Sequence, residues 1–340
     1  MKKLFSLLIV LLVALGALMS ALWTVPMNNT QEVLIEIGQG DTLRGKSVEW
    51  EAQGWLPSAA LLRMQARVLK KSNLRTGEFM VPPGLDGPAF LLWLETAKPL
   101  TYKVRFIEGT RLADVIAALR TAPRLKQDVE PLTPEAIAGL LGVSGNVEGL
   151  LFPDTYVYQG GERVSAILHQ SYRLMQSQLQ DAWAKRGQNL PYKTPYEALI
   201  MASIVEKETS LASERPQIAG VFTRRLEKGM RLETDPTVIY GLGSTYAGDL
   251  RRSHLQDDNN PYNTYRIKGL PPTPIALAGR AAIDAALHPA PGNELFFVAR
   301  GDGSHVFSAT LDAHNAAVMQ YQVRNRSTNY RSTPTKESGK

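Results

Sequence analysis

After Lys2 and Lys3 the chain runs through residues 4–23, LFSLLIVLLVALGALMSALW, without a charge. An apolar run of this length matches the hydrocarbon core of a bilayer when helical, and predicts a membrane anchor over residues 4–24. A cleaved signal peptide needs a shorter apolar stretch with small residues at the cut. Ala14 and Gly16 imitate such a site, yet the apolar sequence continues to Trp23. Two lysines precede the run and few charges follow it closely, so the stub 1–3 is expected in the cytoplasm and the rest outside the membrane.

Beyond a short polar linker, alternation and β-branching predict a strand over Val33 to Ile37. A GQGDTL turn then leads into a helix, helical spacing recurs from Leu56 to Leu69, a short strand covers Phe79 to Val81, and PAFLLWLETAK reads as a helix. Leu100 to Ile107 alternates as another strand, followed by the helical EGTRLADVIAAL with Thr110 as its expected N-cap. A helix from Pro131 to Leu141 precedes the turn-rich, aromatic stretch 145–158, and residues 161–185 carry the pattern of a long amphipathic helix.

Residues 194–243 break this amphipathic habit. Thr194, Pro195 and Glu197 form a helix start signal, and Ala198 to Val205 carry no charge on any face. A helix apolar all round is buried. Glu206 therefore sits where a buried helix returns to water, a setting that desolvates a carboxyl and helps it keep a proton. Residues two apart lie about 200° apart around a helix, so Glu206 and Glu208 cannot serve one small site. Ser203 shares the Glu206 face, which makes Glu206 the first candidate acid and Glu208 its substitute.

A second helix is expected from Arg215 to Lys228, with Ser213 as N-cap and Gly229 as stop. Asp235-Pro236 then introduces a β-prone piece, Thr237 to Tyr240, suited to a cleft wall. Asp249 to Asn263 reads as polar loop, and GLPPTPIALAG (269–279) as a rigid wall. The remaining pattern predicts a helix over 279–287, strands over 295–299 and 305–308, a last helix over 311–323 and a frayed tail, 324–340.

Composition narrows the chemistry. The 340 residues, 44% hydrophobic and 21% charged, suit a globular chain of about two domains. With no cysteine, disulfides, thiolate metal sites and cysteine nucleophiles are excluded, and the five histidines are scattered without a metal spacing. No G-x-S-x-G elbow, phosphate loop or dinucleotide fingerprint occurs, so neither a metal nor a cofactor is expected. The net charge of +6 favours an anionic partner. An extracytoplasmic location removes nucleic acid and leaves a cell-envelope polymer. Aromatics beside carboxylates, as with Glu148 and Asp154 near Phe152, Tyr156 and Tyr158, or Tyr262, Asn263 and Tyr265 in NNPYNTY, are materials for a sugar site.

Two resemblances sharpen this. The strand, helix and strand order with GDTL in front and RTGEFMVP behind resembles a LysM module, a small peptidoglycan-binding fold, over residues 30–98, and 99–150 repeats its opening. MASIVEKET (201–209), SERPQIAGVFTRRLEKGMRLETDPTVIYGLG (213–243), EGLLFPDTY (148–156) and YNTYRIKGLPPTPIA (262–276) together resemble the endolytic murein transglycosylases, the MltG or YceG-like family. The expected architecture is α+β: a transmembrane helix, one or two small LysM-like subdomains, and a mixed α/β catalytic domain over 99–323. Two departures stand out: Glu233, where the family commonly has Gln, and Thr273-Pro274, which replace a turn that usually contains Gly.

The resemblance implies an inner-membrane enzyme that cuts nascent peptidoglycan within the strand, with Glu206 as acid and then base, closing the muramoyl C6 hydroxyl on C1 to leave a 1,6-anhydro end. It also implies work beside peptidoglycan synthases. Ser203, Asp235, Thr237, Tyr262, Asn263, Thr264, Glu148 and Asp154 are the candidates for substrate binding. Asp235, Asp154 and Glu148 would also supply a second acid if the enzyme were instead a hydrolytic muramidase; otherwise they are turn or capping residues. A non-enzymatic, anchored peptidoglycan-binding scaffold is the other alternative.

Overall fold

The computed structural model describes residues 2–324, apart from the side chains of residues 2–5, 8, 18, 19 and 324. The expected tail lies, from residue 325, outside them. The chain forms two compact units, the first made of residues up to 102 with 123–125 and 157–162, the second of the remainder.

The first unit starts with α1 (Lys2–Trp23). Counting only the described residues, no helix is long and apolar enough to cross a membrane. Next come β1 (Val33–Ile37), α2 (Leu43–Ala52), α3 (Ala59–Leu69), β2 (Gly77–Val81) and α4 (Gly87–Thr96). Thr42, Ser58 and Asp86 cap the three short helices, each accepting from a backbone N–H three residues on, which satisfies donors a helix start leaves orphaned. β1 and β2 pair antiparallel, Val33 opposite Val81 and Ile37 opposite Gly77. Their alternation buries Ile35, Ile37, Phe79 and Val81 and leaves Leu34 and Met80 outward. Between sheet and helices, Trp50, Trp55 and Phe90 lie with ring centroids 5.4–5.6 Å apart. Burying each such ring contributes on the order of 2–3 kcal/mol.

A second strand pair, β3 (Thr101–Arg105) with β4 (Thr155–Gln159), contributes residues to both units. The second unit is mainly helical: α5 (Leu112–Thr121), α6 (Pro134–Leu141), α7 (Val164–Ala184), α8 (Pro195–Glu208), α9 (Arg215–Glu227), α10 (Asp235–Leu242), α11 (Arg252–Leu255) and α12 (Arg280–Leu287). The hairpin of β5 (Phe296–Ala299) and β6 (His305–Ser308) follows, then α13 (Leu311–Val318), which widens into a π-helical turn, Met319–Arg324. Helix α8 is the hub, packed by α7, α9, α10 and α12, and Ala198 to Val205 are all buried. Its start is capped as the sequence predicts by Thr194 Oγ1, which accepts from Glu197 N–H at 3.2 Å, while the Glu197 carboxylate reaches past the cap residue to the Lys193 N–H at 2.5 Å.

Several local expectations are corrected. Thr110 is not the cap of α5; its hydroxyl donates to the Ile107 carbonyl, and the Leu112 N–H is taken by Glu148 from far along the chain. Nor does Ser213 cap α9, where Glu214 holds the N-cap position and Pro216 follows within the first turn. Thr237 to Tyr240 is helix α10 rather than a β-prone wall. Asp235 and Pro236 start a helix well, and burial of Thr237 and Val238 outweighs their β-branched preference. The expected loop 249–263 contains the single turn of α11.

Candidate active site

Glu206 leaves α8 two residues before its end and points to where two other helices begin. Its Oε2 accepts the backbone N–H of Gly279, the residue capping α12, at 3.0 Å. Its Oε1 lies 3.3 Å from Nη2 of Arg215, the first residue of α9. Helix N-termini favour negative charge, so both starts suit a carboxylate. Burial works the other way: the Glu206 side chain is only 5% exposed. Desolvation is the largest influence and holds its pKa above the usual carboxylate range, opposed by Arg215 and the Gly279 amide and reinforced by the charge of Glu108. The acid can thus carry a proton and still meet a stabilised anion once the proton has left.

Glu108 follows β3, in a segment laced to the chain before α12. Gly109 N–H donates to the Leu277 carbonyl and Leu277 N–H to the Thr110 carbonyl, both at 2.8 Å. Gly109 lies over Glu206, close enough that a Cβ there would stand 3.8 Å from Glu206 Cγ, and Lys207 Nζ donates to its carbonyl at 3.0 Å. A Cβ on Gly279 would overlap the Glu108 carboxyl. Two acids, one largely buried and one exposed, therefore border the same glycine. The α8–α9 turn is fixed independently: buried Glu214 accepts the His305 N–H at 2.8 Å, lies 2.8 Å from His305 Nδ1 and receives the Thr209 hydroxyl.

Glu208 turns elsewhere, as helix geometry requires. Its Oε1 accepts the Thr234 hydroxyl, and burial pushes its pKa up to about 7. It lines a cavity of about 410 Å³ with Phe222, Asp235, Tyr265 and Phe296 among its walls. Asp235, exposed at the first turn of α10, accepts the Tyr265 hydroxyl at 2.7 Å. Glu233 sits on the same cavity with a left-handed backbone, φ 54°. Its carboxylate lies 3.1 Å from Nη1 of Arg225, whose remaining bonds go to the carbonyls of Arg231, Leu232 and Leu295. The charge that departs from the commonly found Gln is therefore paired with Arg225.

Glu148 is buried, accepting from Leu112 N–H at 2.9 Å and from the Tyr240 hydroxyl at 3.3 Å. Burial lifts its pKa to about 7 against those bonds. With Tyr240 and Asn146 it lines a cavity of about 770 Å³ whose remaining walls include Leu112, Ile116 and Leu132. Asp154 is exposed and accepts from the Thr155 N–H, a turn arrangement. Ser203 is fully buried; its hydroxyl donates to the Ile200 carbonyl and accepts from Ile275 N–H. Thr237 and Thr264 bond each other at 2.8 Å in the interior. Asn263, also fully buried, donates to the carbonyls of His254, Leu255 and Asp257 and accepts from Tyr265 N–H. Tyr262 is half-buried, its hydroxyl 2.9 Å from that of Thr273 and its ring edge-on to Tyr240. Thr273-Pro274 fits because Gly149 makes room: a Cβ on Gly149, at φ +75°, would overlap the Pro274 ring.

Sequence reasoning passed over Glu108, Gly279 and Arg215. Arg215 lay within a quoted motif, beside the expected helix start, and that was a usable signal; Glu108 reaches the site through backbone bonds of residues 109 and 110 with residue 277.

The chain matches the YceG-like family over residues 35–320. It is 31% identical over 269 residues to an endolytic murein transglycosylase of Bacillus subtilis (strain 168), covering 74% of each chain. It is 24% identical over 340 residues to a Streptococcus pneumoniae (serotype 2, strain D39) protein of the same name, an alignment spanning 89% of this chain and 61% of that longer one. The crystal structure of a putative YceG-like protein from Listeria monocytogenes superposes with a TM-score of 0.53 at 27% identity, covering 85% of this chain and 99% of the other. A match over most of the length, together with a relative above 30% identity, places the chain in the YceG-like family.

Proposed function

We propose that this chain is a lytic transglycosylase of peptidoglycan, acting within the strand as its relatives' names state. The observation that carries the proposal is Glu206: a largely buried acid with a raised pKa, held by one backbone N–H and one guanidinium. In its protonated form Glu206 gives its proton to the oxygen linking N-acetylmuramic acid to N-acetylglucosamine. The C1–O bond breaks with its electrons on the leaving oxygen, and positive charge develops on the muramoyl C1 and ring oxygen. The Glu206 carboxylate, stabilised by Arg215 and Gly279, then takes the proton of the muramoyl C6 hydroxyl. Its oxygen closes on C1 and leaves a 1,6-anhydro end, so no water is consumed. Cuts of this kind in nascent strands would limit glycan length.

Of the substrate-binding candidates, exposed Asp154, exposed Asp235 and half-buried Tyr262 are those that substrate can touch. Glu148, Ser203, Thr237, Asn263 and Thr264 are buried and would act by shaping the walls. The β1-α2-α3-β2 order with an antiparallel strand pair supports the LysM-like reading of residues 30–98, which would hold the glycan strand. An anchor over residues 4–24 rests on the uncharged run from Leu4 to Trp23. Leu7, Val10, Leu11 and Val13 are each more than 60% exposed on it, apolar surface that lipid would cover. The catalytic unit would then work outside the cytoplasmic membrane, beside the synthases that make its substrate.

The test is Glu206→Gln, nearly isosteric and unable to transfer the proton. Cleavage of glycan strands is expected to vanish while folding and strand binding persist. Mass spectrometry of the native digest should show anhydro ends. Products heavier by one water would replace the transglycosylase with a muramidase, and undiminished cleavage by the variant would remove Glu206 from the chemistry.

A further inference from the structure

Two carboxyls meet at Gly279. Glu206 Oε2 accepts its amide proton at 3.0 Å, and the Glu108 carboxyl lies so close to its α-carbon that a Cβ would overlap it. Backbone bonds hold Glu108 there, since Gly109 N–H and Thr110 C=O on its C-terminal side both pair with Leu277. Resting on the reading of Glu206 as proton donor, we propose that Glu108 is a positioning residue for the reaction, its carboxylate set against Gly279 to keep Glu206 in its proton-donating form.

The reason is the balance of charge around Glu206. From α9, Arg215 stands 3.3 Å from Oε1. From α12 come the Gly279 amide and Arg280, and the Arg280 guanidinium is engaged by Asp284 and Asp181. From α8 itself, Lys207 turns its ammonium to the Gly109 carbonyl. Arg215 and the Gly279 N–H both favour the ionised acid, and an ionised Glu206 cannot start the reaction. Glu108 supplies the like charge that opposes them. Because Glu108 is exposed, water screens it in the free protein, and a glycan strand laid over it would strip that water and strengthen its effect. Once the proton has moved to the leaving oxygen, Arg215 and Gly279 are in place to hold the anion until it takes the C6 hydroxyl proton. Glu108 itself exchanges no proton with substrate.

The measurement is the Glu206 pKa in the full chain, followed by carbon-13 carboxyl resonances, with Glu206→Gln identifying the signal. Glu108→Gln and Glu108→Ala are both expected to lower it by about one unit, the effect of a unit charge a few ångströms away in a partly hydrated site. Glu108→Asp, which keeps the charge, should stay close to the native value, and Arg215→Met should move it the opposite way. The alkaline limb of the cleavage profile should follow the same order. An unchanged Glu206 pKa in both neutral variants overturns the proposal. If the native chain cleaves no glycan at any pH, the functional reading fails, while the titration still decides the relation between the two acids.

Discussion

The backbone N–H of Gly279 reaches Glu206 Oε2 at 3.0 Å, joining the start of α12 to the end of α8 across 73 positions of sequence. The contact uses only the main chain, yet the absent side chain matters on the other face, where the Glu108 carboxyl lies. Gly279 has φ −76° and ψ 169°, extended backbone that alanine adopts without strain. Gly279→Ala should therefore keep the amide bond to Glu206 and displace only the exposed Glu108 carboxyl. Stability is expected to change by less than about 1 kcal/mol, and the alkaline limb of the cleavage profile to move toward acid, as in Glu108→Gln. Thermal unfolding and a pH-rate profile check the two halves. A profile that superposes on the native one would mean that the Glu108 position does not matter to Glu206.

Glu148 carries a consequence for stability. Its pKa rises from 4.5 to about 7, driven by burial and opposed by the Leu112 N–H and the Tyr240 hydroxyl. The folded state then binds more protons than the unfolded state between these values, so stability is fully present below pH 4.5 and falls as pH rises through 7. The loss from this one group is on the order of 3 kcal/mol. Glu208, also pushed up to about 7, adds to the same slope. Glu148→Gln retains an oxygen for the Leu112 amide and removes the titration. Urea unfolding at pH 5 and pH 8 should show the native chain clearly weaker at pH 8 and the variant, which keeps Glu208, losing about half as much. Parallel losses in the two proteins would assign the pH dependence to other groups.

What the sequence made legible was local. The Thr194–Glu197 start signal and the uncharged run to Val205 are enough to specify a buried helix ending in an acid, and 200° of helical rotation is enough to send Glu206 and Glu208 to different neighbours. Thr237 to Tyr240 misled because intrinsic β preference was weighed without the packing that buries Thr237 and Val238 in α10. Glu108 and Gly279 could not be paired from sequence, because their proximity depends on a backbone ladder between residues 109–110 and 277 that leaves no periodic trace. Glu148 stands out in the sequence as an acid among aromatics; its bond to the first amide of α5, 36 positions earlier, leaves no sequence signal.

Ser203 lies three positions before Glu206 on the same helix face and holds the other end of the strip that delivers Gly279. Its hydroxyl donates to the Ile200 carbonyl at 2.7 Å and accepts the Ile275 N–H at 3.0 Å, and no part of the side chain is exposed. Ser203→Ala would leave the buried Ile275 amide without a partner, a cost of about 1–3 kcal/mol. The slackened strip would also let Gly279 drift from Glu206, and the acid would lose the amide that meets its anion. Cleavage should fall roughly tenfold, the effect of about 1.4 kcal/mol in the transition state, with strand binding preserved because Ser203 touches no surface. Urea unfolding and single-turnover cleavage read the two effects separately. Full activity in a destabilised variant would show that the strip needs no anchor at Ile275 to hold Gly279 against the acid.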